Sequence, residues 1–100
     1  MIESLFVNTL NENFDSFFVI DVREEEEYNI AHIKDAMLAP LSEPLPAVQN
    51  NGKAVVFMCR SGKRSLIAAE HYQVNNQSET VYNLVGGILA WQQHGYPVIS

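Results

Sequence analysis

The sequence predicts an α/β domain, with a mainly parallel central sheet of about five strands flanked by helices on both faces. Three observations carry that expectation. Phe17-Phe18-Val19-Ile20 and Ala54-Val55-Val56-Phe57-Met58 are unbroken apolar runs, the pattern of strands covered on both faces. Each run gives way to polar residues and then to a helix-like segment, so strands alternate with helices and right-handed crossovers follow. Asn50-Asn51-Gly52, Gly86-Gly87 and Gly95 punctuate the chain with residues that suit turns and helix stops.

In chain order, Ile2 to Asn11 mixes Leu5, Phe6 and Leu10 with polar residues and fits a short strand or an irregular amphipathic helix. Phe17 to Ile20, closed by Asp21, is the first clear strand. Glu24 to Ile30 begins with four glutamates. They suit a solvated first helical turn, where carboxylates face the positive end of the helix dipole. Ala36 to Ala39 is a short strand ended by Pro40. Leu41 to Val48 contains Pro44 and Pro46, so any helix there is brief.

Ala54 to Met58 is the expected central strand. Ser65 to Asn76 reads as the longest helix, with Ser65 as its N-cap and Ala68 and Ala69 small enough for close approach to the sheet. Thr80 to Leu84 is β-branched and aromatic, hence a strand. Ile88 to His94 forms a final helix stopped by Gly95, with Pro97 beyond.

One hundred residues, 47% hydrophobic and 10% aromatic, are expected to form a single domain over 1–100. The chain opens Met1-Ile2-Glu3 without a basic segment or a long apolar run, so a cytoplasmic location is expected. One cysteine excludes an internal disulfide, in keeping with a reducing compartment. A net charge of −6 argues against nucleic acid or an anionic membrane as partner. A monomer is expected. No metal or cofactor motif is present, and none is expected to be needed.

Charge distribution says more than the total. Arg60, Lys63 and Arg64, half of the six Lys and Arg residues, follow Cys59 within five positions. If Cys59 ends a strand and Ser65 opens a helix, the backbone between them curls and turns its N–H groups toward a common centre, a nest for anions. In parallel α/β folds such strand ends collect ligands. The same polarity and the neighbouring cations lower a thiol pKa and favour the nucleophilic thiolate. A bland alternative treats Cys59 as a small buried hydrophobe and the cations as solvated loop residues. The combination of glycine, cations and strand end favours the nucleophile, directed at a small anion such as thiosulfate, a phosphate ester or arsenate.

His32, His71 and His94 are scattered in sequence, and His71 and His94 suit the surface. Asp21 and Arg23 end the first clear strand on the same sheet edge as Cys59. They are expected to support the site through a buried ion pair, either bracing the loop or holding the sheet edge.

These residues resemble the rhodanese family of sulfurtransferases, in its single-domain form. Val19-Ile20-Asp21-Val22-Arg23-Glu24 with Glu27-Tyr28 is similar to the family's first motif, and His32-Ile33 with Ala36 and Pro40 to the segment after it. Cys59-Arg60-Ser61-Gly62-Lys63-Arg64-Ser65 with Ala68-Ala69 is similar to the active-site loop and its helix. Val81-Tyr82-Asn83-Leu84, Gly86-Gly87-Ile88, Ala90-Trp91 and Gly95-Tyr96-Pro97 resemble the closing motif. Four motifs in order cover nearly the whole chain. Ala31 and Asp35 depart from it, standing where glycine is usual.

The resemblance implies that Cys59 takes sulfane sulfur from a donor such as thiosulfate, becomes a persulfide and passes the sulfur to cyanide or a thiol. Arg60, Ser61, Gly62, Lys63, Arg64 and Ser65 would bind the donor, with Asp21 and Arg23 in support. With no second cysteine, the acceptor must be external, a small thiol or a partner protein. It also implies that His32 is a hydrogen-bonding core residue and that Trp91 and Tyr96 pack.

Two other readings stay in view. One is a phosphatase or arsenate reductase of related fold; a class of dual-specificity phosphatases with a similar loop places five residues between cysteine and arginine, whereas four separate Cys59 from Arg64 here, a tighter ring that suits sulfur better than phosphate. Rhodanese-like domains also serve as non-catalytic interaction modules or slow sulfur carriers. Retention of Cys59 among its cations argues for chemistry.

Overall fold

A computed structural model describes all residues, 1–100. Five strands, β1 (Ile2–Leu5), β2 (Phe17–Asp21), β3 (Met37–Leu38), β4 (Ala54–Met58) and β5 (Val81–Leu84), form one parallel sheet in the order β1-β5-β4-β2-β3. Four helices accompany it: α1 (Val7–Glu12), α2 (Glu25–Ile30), α3 (Lys63–Val74) and α4 (Gly87–Gln93). A single 3-10 turn, Phe14–Ser16, leads into β2. The α/β fold expected from the apolar runs is present, with β4 at the centre.

The run Val55-Val56-Phe57-Met58 is fully buried because its alternating side chains enter two cores. Val55 and Phe57 join Ile20, Val81 and the α3 residues Ala68, Ala69 and Tyr72. Val56 and Met58 join Val19, Leu84, α1 residues Val7 and Leu10, and α4 residues Ile88 and Trp91. Each large apolar side chain so buried contributes roughly 1.5–3 kcal/mol before entropic costs. Burial on both faces explains why these strands show no polar alternation.

The first segment resolves into both expected alternatives, a strand followed by a helix. Leu41 to Val48 forms no helix, as three prolines over Pro40 to Pro46 remove backbone donors. The longest helix begins two residues before Ser65, so Ser65 is not its N-cap. Gly62 occupies that position in the left-handed region at φ 107°, with no side-chain cap. Glycine alone among the loop residues reaches that conformation without steric cost.

The C-terminal tail folds back on the body. His32 and Ile99 exchange two backbone hydrogen bonds of 2.8 Å, and the Trp91 indole donates to the Pro97 carbonyl at 2.8 Å. Trp91 is therefore a packing residue with its polar atom satisfied. No helix is long and apolar enough to cross a membrane.

Candidate active site

Parallel pairing aligns the carboxyl ends of the three middle strands: Asp21 of β2 lies beside Met58 of β4, and Phe57 beside Asn83 of β5. Cys59 leaves β4 at this edge and is almost fully buried. The chain then turns through Arg60, Ser61 and Gly62 into α3.

The carbonyls of this turn point away from its centre. Cys59 and Arg60 carbonyl oxygens accept from the N–H groups of Ile88 at 2.9 Å and Leu89 at 3.2 Å, in the first turn of α4. Gly87 makes that contact possible, since a Cβ there would collide with both carbonyls. With the carbonyls occupied outside, the amides turn inward. The Gly62 N–H donates to Cys59 Sγ at 3.1 Å and the Ser65 hydroxyl lies 3.4 Å from it. Burial pushes the Cys59 thiol up, but the Ser65 hydroxyl and the N–H groups of Ser65, Gly62 and Ser61 outweigh it, and the thiol lies below its ordinary value. Sulfur surrounded by donors is stabilised as an anion.

Ser65 is fully buried and acts through its hydroxyl, which meets Asn83 Oδ1 at 2.5 Å. The Asn83 amide nitrogen donates to the Gly62 carbonyl at 3.1 Å. Asn83 thus ties β5 to Gly62 and to Ser65, where the loop enters α3.

The three cations separate into two kinds. Arg60 and Lys63 are exposed and form no ion pair. Arg64 instead makes a two-pronged pair with Glu27, Nη1 to Oε1 at 2.8 Å and Nη2 to Oε2 at 2.9 Å. Arg64 holds the Glu27 carboxyl down at about 2. The acidic run is therefore not uniformly solvated. Glu25 and Glu26 are exposed, whereas Glu27 reaches the loop and Glu24 accepts from the Ser42 hydroxyl at 2.9 Å while closing a capping box with Glu27.

Asp21 and Arg23 form the expected buried pair, Nη2 to Oδ2 at 2.8 Å, with Arg23 Nε also donating to Asp21. Arg23 then donates to the carbonyls of Glu27 at 3.4 Å and Ala31 at 2.7 Å. The pair braces α2 rather than touching Cys59, and α2 in turn presents Glu27 to Arg64. His32 stacks on Tyr28 with ring centroids 3.9 Å apart and Nδ1 3.1 Å from the Tyr28 carbonyl, a structural placement. His71 and His94 are exposed. A separate groove of about 530 Å³ lies between Ala39–Val48 and the later turns of α3 and includes none of the residues from Cys59 to Ser65.

Three residues of the site were not evident as such in the sequence: Glu27, Asn83 and Gly87. Asn83 carried a usable signal, as a polar residue beside a buried leucine at the carboxyl end of a strand.

The family model for the rhodanese-like domain matches residues 6–94. The chain is 34% identical over 85 residues to a sulfurtransferase of Allochromatium vinosum, covering 82% of this chain and 78% of that protein. It is 38% identical over 88 residues to an uncharacterized protein of Synechocystis sp., covering 86% of this chain. It spans 49% of that relative, and 29% of a tRNA uridine(34) hydroxylase of Photorhabdus laumondii. Among solved structures, a rhodanese-related protein of Thermoplasma volcanium superposes with a TM-score of 0.83 at 30% identity, covering 97% of each chain.

Proposed function

Because the chain belongs to the family of rhodanese-like domains, related to sulfurtransferases, we propose that it moves sulfane sulfur from thiosulfate or a similar anionic donor through a persulfide on Cys59. The observation that carries this reading is the sulfur of Cys59 set among inward donors from Ser61, Gly62 and Ser65.

Arg60 and Lys63, exposed and unpaired, draw the anionic donor to the loop. The Cys59 thiolate attacks the outer sulfur of thiosulfate; the bond between its two sulfurs breaks, and sulfite leaves with the electron pair. Cys59 then carries a persulfide whose terminal charge faces the amides of the loop. Cyanide or an acceptor thiolate attacks that terminal sulfur, and Cys59 departs as thiolate. With one cysteine in the chain, the acceptor comes from outside, as a small thiol or a partner protein.

Intact mass measurement after incubation with thiosulfate tests the reading. A gain of one sulfur atom, reversed by cyanide and absent in Cys59→Ser, is expected. An unmodified protein across several sulfur donors overturns it. Hydrolysis of an aryl phosphate lost in Cys59→Ala would instead identify a phosphatase.

A further inference from the structure

The geometry points to Asn83 as a positioning residue for Cys59, one that holds the Ser65 hydroxyl proton while the sulfur is neutral and yields it when the sulfur is anionic.

The argument begins with a count of protons. Ser65 has one hydroxyl proton and two acceptors in reach, Asn83 Oδ1 at 2.5 Å and Cys59 Sγ at 3.4 Å. Asn83 cannot flip its amide, because its nitrogen donates to the Gly62 carbonyl at 3.1 Å. Its oxygen is thereby committed to Ser65. Around the sulfur, the groups of Ser61, Gly62 and Ser65 backbone are donors, so a protonated thiol finds its acceptor in the Ser65 oxygen. That arrangement requires the Ser65 proton to be on Asn83.

When the thiol ionises, its proton goes to solvent and the Ser65 hydroxyl turns to the thiolate. In a persulfide the charge moves to the outer sulfur, Sγ becomes a weak acceptor, and the hydroxyl returns to Asn83. As Cys59 leaves, the hydroxyl swings back to meet the developing charge. Asn83 thus competes with the thiolate for one proton and keeps the thiol pKa from falling further, toward the range where a thiolate is plentiful but a poorer nucleophile.

The charged groups at this edge are Arg60, Lys63 and Arg64 of the loop and α3, Glu27 of α2, Asp21 at the end of β2 and Arg23 beyond it. β5 and α4 contribute none. Substitution at Asn83 or Ser65 leaves all of them in place.

The proposal rests on Cys59 as the sulfur carrier, but its test reads the thiol directly. The pH dependence of alkylation by iodoacetamide, a neutral reagent, is compared among wild type, Asn83→Leu, Ser65→Ala and the double variant. The midpoint in Asn83→Leu is expected to fall by about one pH unit, tenfold in the ionisation constant. In the Ser65→Ala background the same substitution is expected to move it by less than half as much. A midpoint that does not fall, or a fall in the Ser65→Ala background of half or more, overturns the proposal and leaves Asn83 as a loop anchor acting through Gly62. Should the leucine variant fail to fold by circular dichroism, Asn83→Ala makes the same comparison. Failure of the protein to accept any sulfur donor would overturn the function while leaving this measurement readable.

Discussion

Glu27 of α2 grips Arg64 of α3 by two hydrogen bonds across 37 residues of sequence, so one of the two arginines that follow Cys59 is already neutralised before any donor arrives. The two side chains are about one-third exposed, which places the pair between a surface bridge and a buried one. Glu27→Gln is expected to cost about 1 kcal/mol, read as a fall of about 4–8 °C in Tm. The sign with pH follows from the Arg64 bonds, which hold the Glu27 carboxyl at about 2 instead of 4.5. The pair's contribution is complete above pH 4.5 and is lost as the pH falls from there toward 2. Urea unfolding of wild type and Glu27→Gln should therefore converge in acid; a constant gap over that interval would show that the pair is not held in solution.

Cys59 titrates with the same sign in a more alkaline window. Its folded pKa is lowered, because donors from Ser65, Gly62 and Ser61 outweigh burial. A thiol so depressed stabilises the fold at pH above its unfolded value, and that contribution is lost as the pH falls through the folded one. Wild type should gain stability over Cys59→Ser as pH rises through that window. Ser65→Ala should shrink the gain and move the alkylation midpoint up by about one unit. A pH-independent difference between wild type and Cys59→Ser would contradict the assigned donors.

Much of this was legible in the residues because burial on both faces leaves an unmistakable trace: Phe17–Asp21 and Ala54–Met58 are strands where the apolar runs placed them. Cys59 at the end of β4 follows directly. The start of α3 was misplaced because Lys63, Arg64 and Ser65 are all polar, and their order does not reveal that Gly62 takes the left-handed turn and frees the Ser65 hydroxyl for Asn83. Glu27 was hidden for a different reason. A glutamate in an acidic run looks the same whether it faces water or an arginine 37 positions away, and only the packing of α2 beside the loop distinguishes them.

Gly87 is the least replaceable glycine near the site. It has φ +56°, and a Cβ there would strike the Cys59 and Arg60 carbonyls, backbone atoms that cannot step aside. Gly52 has φ +80° with open space around it. Gly52→Ala is expected to cost about 1 kcal/mol through backbone strain alone. Gly87→Ala should cost upward of about 2 kcal/mol and also raise the alkylation midpoint of Cys59, since displaced carbonyls release the inward amides. Equal costs at the two sites, with Cys59 unaffected, would show that the contact between α4 and the loop does not shape the thiol.

Asp35 shows what a departure from the family pattern does to the backbone. It stands where glycine is usual and adopts φ 62°, a left-handed conformation that costs most side chains about 1–2 kcal/mol, less for aspartate. Ala31, the other departure, has φ −163°, extended backbone open to any residue, so nothing is strained there. Glycine at 35 relieves the steric cost but widens the freedom of the unfolded chain. Asp35→Gly should therefore stabilise by up to about 1 kcal/mol, and Ala31→Gly should destabilise by a comparable amount. Because both positions precede β3 and neither touches Cys59, the alkylation midpoint should not move in either variant. A stability gain in Ala31→Gly, or a loss in Asp35→Gly, would mean that side-chain contacts outweigh backbone conformation in this turn.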